Sequence, residues 1–187
     1  MELETVLSFQ SAHSGTLAVS YVIDSRALEI GMFDQDASIL PLPLHQSDFE
    51  QTAATHRDLE LRSYRLRRHN GVTRIDAEYR FESLEALQIA FGRQNRPVVE
   101  TGAHGTVMRQ QLFSGLDRSN GGHEPQRSQR FVDEFLSDAS VAVTVHAPTT
   151  ISSSNLGAVD GRTLQLRYSA SELLRLEAPL ILELMWE

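Results

Sequence analysis

From Val72 to Glu82 the chain alternates without a break. Arg74, Asp76, Glu78, Arg80 and Glu82 take the even positions, and Thr73, Ile75, Ala77, Tyr79 and Phe81 the odd ones. A period of two is that of a strand with one wet face and one packed face. The stretch Leu59 to His69 before it is joined by Asn70-Gly71, the pair that accepts the positive φ angles of a type I′ turn, so the two predict a hairpin. A second hairpin is predicted at the start of the chain. There Glu4 to Phe9 and the β-branched, aromatic-rich Thr16 to Ile23 flank Ala12-His13-Ser14-Gly15.

Helical signals are short and lie between the strands. Asp24-Ser25 caps a short helix through Ile30, and Gly31 ends it. Ser47-Asp48-Phe49-Glu50 matches a capping box, so a helix is expected from about Asp48 to His56. Ser83 caps a helix whose Leu84, Leu87, Ile89 and Phe91 form an apolar stripe up to Gly92. Pro125 suits the first turn of a helix running to about Ser137, and a short helical turn is expected over Ser171 to Leu176. Further strands are expected at Thr106 to Phe113, Ser140 to Ala147, Thr163 to Tyr168 and Leu180 to Trp186, the last as a buried central strand. Arg93 to Gly105, Leu116 to Glu124 and Thr149 to Gly161 read as connections because Ser, Asn and Gly crowd them. Strand pairs interleaved with single helices predict an α+β fold, with a largely antiparallel sheet and helices mainly on one face. We read residues 1–187 as one domain, with two lobes divided near residue 94 as the alternative.

Composition mainly removes options. The chain carries 17 basic against 25 acidic residues, a net charge of −8, which argues against non-specific binding to nucleic acid or to anionic lipid head groups. All 17 cations are arginine, so Schiff-base chemistry and the P-loop lysine are excluded. With no cysteine there is no disulfide and no thiolate nucleophile or metal ligand. No apolar window of about 18 residues is present to span a bilayer as a helix. Met1-Glu2 runs straight into strand-like Leu3 to Leu7, so the sequence reads either as a cytoplasmic protein or as a mature exported domain.

Candidate chemistry is sparse. None of the 7 histidines has a second at the i, i+4 spacing that puts two imidazoles on one helical face. Asp34-Gln35-Asp36 begins like a calcium loop, but Ile39 stands where glycine is needed and His45 where a bidentate glutamate is needed. No nucleophile elbow, dinucleotide turn or Walker sequence occurs, so no cofactor, no metal and no catalytic residue is expected. Gly102-Ala103-His104-Gly105 reads as a turn. Two features remain as candidate ligand or partner contacts. Ile39-Leu40-Pro41-Leu42-Pro43-Leu44 is apolar for a loop, and either covers the core or forms a rim. We place it beside a ligand mouth or partner face, with Leu40, Leu42 and Leu44 as contacts. The second is the arginine run Arg62, Arg65, Arg67 and Arg68, which alternation splits, Arg65 and Arg67 on one face and Arg62 and Arg68 on the other. It is either a solvated sheet face, partly neutralised by Asp76 and Glu78 across the strand, or, through Arg65 and Arg67, a contact for an anionic head group or acidic partner.

The order of features resembles known envelope proteins. Leu40-Pro41-Leu42-Pro43, then Ser47-Asp48-Phe49-Glu50, then Arg80-Phe81-Glu82-Ser83-Leu84-Glu85-Ala86-Leu87 resembles spirochaetal, treponeme-type envelope lipoproteins. Val143 to Pro148, Ser154-Asn155, Asp160-Gly161-Arg162-Thr163 and the closing Trp186 resemble bacterial lipoprotein domains of the LppM-like type. The resemblance implies a non-catalytic periplasmic domain, tethered to a membrane through a lipidated cysteine upstream of this sequence, that binds a lipid or other apolar ligand or organises the envelope. A hydrolase assembled from dispersed His, Asp and Ser residues, and a protein-interaction scaffold, stand as the alternatives.

Overall fold

A computed structural model describes residues 1–29, 42–92, 95–113, 139–173, 175–176 and 178–187. The expected connection over residues 116–124, the expected helix over 125–137 and Leu40 lie outside them.

The opening hairpin forms as β1 (Glu2–Phe9) and β2 (Gly15–Asp24), followed by α1 (Ser25–Glu29), whose first turn Asp24 caps by accepting from the Arg26 N–H at 2.8 Å. Next come α2 (Gln46–Ala54), β3 (Leu59–His69), β4 (Val72–Phe81) and α3 (Leu84–Ala90). The Asn70-Gly71 turn has φ of 49° and 75°, the left-handed pair a type I′ turn requires. Every odd residue of β4 from Thr73 to Phe81 is buried, as the alternation predicts. Ser83 caps α3 by accepting from the Ala86 N–H at 3.3 Å.

The start of α2 differs from expectation. The cap is His45, two residues before Ser47, because the Asp48 carboxylate reaches back to accept from the main-chain N–H of both Leu44 and His45, at 3.0 and 2.9 Å. An ionised carboxylate satisfies two orphan donors at once, which a serine hydroxyl at position 47 cannot.

The remaining described strands are β5 (Val98–Gly102), β6 (Gly105–Phe113), β7 (Ser140–His146), β8 (Ile151–Ser154), β9 (Ala158–Asp160), β10 (Thr163–Ser169) and β11 (Leu180–Trp186), with α4 (Ala170–Leu173) before the last. Three of these, β5, β8 and β9, fall where connections were expected. They are short, and tertiary pairing decides them. Asn155 shows how: its side chain donates to Ile181 O at 2.9 Å and accepts from Glu183 N–H at 2.7 Å, extending the β8–β11 ladder with an amide in place of backbone.

The fold is α+β and the strands form two sheets. One has seven strands in the order β3-β4-β2-β1-β7-β10-β9, antiparallel except for the parallel pair β1–β7; the other has four, β5-β6-β11-β8, all antiparallel. Residues from both sides of position 94 share the larger sheet. Its buried face carries Leu7, Phe9, Leu17, Tyr21, Ile23, Ile75, Tyr79, Phe81, Val145 and Leu164, and receives the helices α1 to α3. Two tyrosines fasten the α2 region to that face. Tyr79 donates to Phe49 O at 3.1 Å, and Tyr64 donates to Leu44 O at 2.7 Å.

The two sheets meet at aromatic rings. Phe9 of β1 lies 5.3 Å from Trp186 of β11 and 5.9 Å, edge to face, from Phe81 of β4. Gly105 closes the β5–β6 turn at φ 122°, against the Trp186 carbonyl, where a side chain would strike main-chain oxygen. That explains the Gly102-Ala103-His104-Gly105 motif as a turn fitted to the end of β11.

Two expectations follow for stability. Trp186→Ala should cost about 3–5 kcal/mol in urea denaturation, since it removes the ring through which the smaller sheet reaches the larger one. A loss below about 1 kcal/mol would contradict this account of the junction. Burial pushes the Tyr79 phenol up to about 12, and burial followed by the nearby Tyr79 pushes the Tyr21 phenol up as well. Both phenols are therefore held neutral in the fold, whereas in the unfolded chain they ionise near the usual value of 10.0. Their stabilisation is complete below that value and is lost as pH rises from 10.0 through about 12. Alkaline absorbance titration should show phenolate appearing together with unfolding, and Tyr79→Phe should flatten the stability profile over this range.

Candidate functional site

At the turn end of the β3–β4 hairpin, the buried face of the large sheet opens into a pocket of about 170 Å³. Ile75 and Thr73 of β4 form its floor; Leu28 of α1, Leu44 and Leu66 of β3 form its walls. Ser25, Glu29, His45 and Arg68 add the polar groups. Thr73 is wholly buried, and its hydroxyl is satisfied by that of Ser25 at 2.8 Å, which fixes α1 over the floor. The Tyr64 hydroxyl, bonded to Leu44 O, holds the opposite wall. Apolar walls with a few polar groups are the usual lining of a ligand site, and this chamber is smaller than the roughly 300–1,000 Å³ typical of one.

A bulge explains which β3 side chains face it. The β3–β4 register shifts between Leu61 and Ser63, leaving Arg62 without an opposite residue. Beyond it Tyr64, Leu66 and Arg68 turn to the buried side, and Ser63, Arg65 and Arg67 to the other. The sequence marks Arg68 within the arginine run, on the face opposite to Arg65, and carries no signal for Leu66 or Leu28. Their shared location depends on the bulge and on α1, neither of which leaves a local pattern beyond alternation.

The expected contact residues thus separate. Leu42 takes the buried alternative, at 8% exposure within the core. Leu44 takes the other, forming a pocket wall while packing against the core. Arg65 and Arg67 are exposed on the face opposite the pocket and do not meet the leucines. Asp76, directly across from Arg65, is held by Arg74 Nε at 2.9 Å and by the Ser20 hydroxyl at 2.8 Å.

A second, shallower depression of about 190 Å³ lies on that opposite face, with Glu4, Asp76 and Glu78 around Val6 and Ala18. It is open to solvent and bordered by carboxylates. Among the described residues no group of three or more His, Asp or Glu side chains is placed to hold a metal ion. Among the same residues no histidine bonds both a serine and a carboxylate. His56 Nδ1 accepts from the Asp58 N–H at 3.2 Å with Nε2 at 3.6 Å from Glu85, and His146 Nδ1 meets the Thr163 hydroxyl at 3.1 Å. No helix among the described residues is long and apolar enough to cross a membrane.

No protein-family model and no curated protein matches the sequence. Among solved structures, the chain is similar to the folded domain of LppM from Mycobacterium tuberculosis, at 9% identity and a TM-score of 0.55, over 99% of this chain and 89% of that one. At that identity the likeness concerns the fold, and it bears on the LppM-like part of the resemblance alone. The chain has an LppM-like fold.

Proposed function

We propose that this chain is a non-catalytic, lipoprotein-type binding domain of the cell envelope, and that the pocket between α1 and the β3–β4 hairpin takes the apolar part of an anionic amphiphile. The observation that carries the reading is the pairing of apolar walls with the Arg68 guanidinium, in a lining that also holds Glu29 and His45. Leu28, Leu44, Leu66 and Ile75 line the chamber, and Arg68 beside them has no acidic partner among the described residues. A guanidinium left unpaired at the edge of an apolar hollow suits a carboxylate or phosphate attached to an alkyl or ring system. The size sets how much enters: a cavity of about 150 Å³ accommodates benzene, so an alkyl segment or one ring fits here, and the rest of a lipid stays outside. Support for the envelope setting comes from the LppM-like fold and from the lipoprotein resemblance of the sequence.

The fluorescent fatty acid cis-parinaric acid should bind saturably. Arg68→Gln should weaken it at least about 10-fold, the loss expected for a hydrogen bond to a charged group, while leaving the neutral alcohol analogue unchanged. Leu66→Glu should abolish binding of both. No saturable binding by the wild type, or equal effects of Arg68→Gln on acid and alcohol, would overturn the reading.

The two leucines of the apolar segment give a further expectation. Leu42→Ser should lower unfolding free energy by about 2–5 kcal/mol, because it removes buried aliphatic surface and inserts a hydroxyl. Leu44→Ser should cost at most about 1.5 kcal/mol and should show its main effect in probe affinity. Chemical denaturation alongside the parinarate titration separates the two.

A further inference from the structure

The face of the β3–β4 hairpin that looks away from the pocket has a charge distribution unlike the rest of the chain. Between Arg62 and Ile75 there are five arginines and no acidic residue, in a protein whose net charge is −8; Arg65, Arg67 and Arg74 share this face, with Asp76 across from Arg65, and Arg68 lies on the pocket side. The bulge at Arg62 sends Arg65 and Arg67 to the face that Arg74 also occupies. Arg67 stands directly opposite Arg74 in the ladder, and like charges placed so repel each other. Among the described residues neither Arg65 nor Arg67 has an acidic partner, and Arg74 is paired with Asp76. Around the same turn Val72, on the face of Arg74, is 41% exposed. The hairpin tip therefore combines two guanidinium groups that have no acidic partner among the described residues with an uncovered aliphatic side chain.

We propose that this hairpin tip docks on an anionic lipid bilayer, with Arg65 and Arg67 at the phosphates and Val72 entering the head-group boundary. Charge complementarity argues for a polyanionic partner, since Arg65 and Arg67 have no acidic partner among the described residues and an anion beside Arg67 relieves its repulsion from Arg74. The aliphatic component selects a bilayer. A nucleic acid would be met by aromatic stacking surfaces, but the tyrosine of this strand, Tyr64, is half-buried and committed to Leu44 O. A flat membrane touches the tip alone, whereas a long polyanion would also feel the chain's net negative charge. The docking face is separate from the pocket, so the two proposals stand or fall independently. If both hold, docking brings the pocket mouth next to the membrane.

The test is co-sedimentation of the full chain with phosphatidylcholine vesicles, with and without 30 mol% phosphatidylglycerol, an amount of roughly the anionic content that gives appreciable surface potential. Binding should require the anionic lipid and fall with added salt. Arg65→Gln with Arg67→Gln should weaken it about 25-fold, roughly fivefold for each arginine near the surface. Arg57→Gln with Arg175→Gln, the same charge change away from the hairpin, should have little effect; circular dichroism checks that both variants are folded. Parinarate binding by the hairpin variant should match the wild type. Four results would each overturn the proposal: no binding to anionic vesicles, equal losses in the two double variants, displacement by inorganic phosphate at matched ionic strength, which would indicate a discrete anion site, or tighter capture of polyglutamate than of vesicles, which would indicate an acidic protein partner. Aggregation of the hairpin variant with vesicle binding intact would likewise overturn it, and would assign the arginines to guarding an edge strand.

Discussion

Contact among Phe9, Phe81 and Trp186 is the constraint on which the rest of the structure depends. Each sheet has one apolar face, and a four-stranded antiparallel sheet standing alone would expose Met108, Leu182 and Leu184, all of which are wholly buried. Placing Trp186 at the end of the central strand β11 lets the smaller sheet share the core of the larger. Edge-to-face and tilted ring pairs also restrict how the sheets are oriented, which aliphatic contacts would do less strictly. Gly105 belongs to the same constraint, because the β5–β6 turn must pass close to the Trp186 carbonyl.

The pocket is a consequence of how the helices cover the other end of the buried face. Phe49 packs against Tyr64 and Tyr79 at 5.5 and 6.0 Å, and the hydroxyls of those tyrosines hold α2 and Leu44 by main-chain carbonyls. Burying aromatic rings there while satisfying their polar atoms leaves α1, among the described residues, to cover the turn end of the hairpin. Leu28, Leu44, Leu66 and Ile75 are what remains around it. The same tyrosines that close the core thus set the pocket's wall.

Charge is organised by face in this sheet. Carboxylates Glu4, Asp76 and Glu78 gather on the middle of the outer face, and the arginines gather at the hairpin tip. The bulge at Arg62 makes this separation possible. Without it the alternation would continue unshifted, and Arg65 and Arg67 would point into the apolar face while Leu66 pointed to solvent.

How much of this was legible in the sequence follows the range of the interactions involved. Local rules determined the opening hairpin, the Asn70-Gly71 turn, the packed face of β4 and the cap at Ser83, because each depends on the chain within a few residues. Alternation also placed Arg65 and Arg67 on one face. Only the tertiary structure decided the three short strands, since Ile151–Ser154 and Ala158–Asp160 gain their pairing from β11 and β10, and Val98–Gly102 gains its own from β6. It decided the cap of α2, where an Asp48 carboxylate with two donors outcompeted Ser47. It separated Leu42, in the core, from Leu44, at the pocket, although the two are chemically identical and two residues apart. It also joined Leu28, Leu44, Leu66 and Arg68 from three segments into one site. Periodicity reports which side of its own element a residue occupies, and burial depends on what other elements bring to that side, which is a property of the whole packed chain.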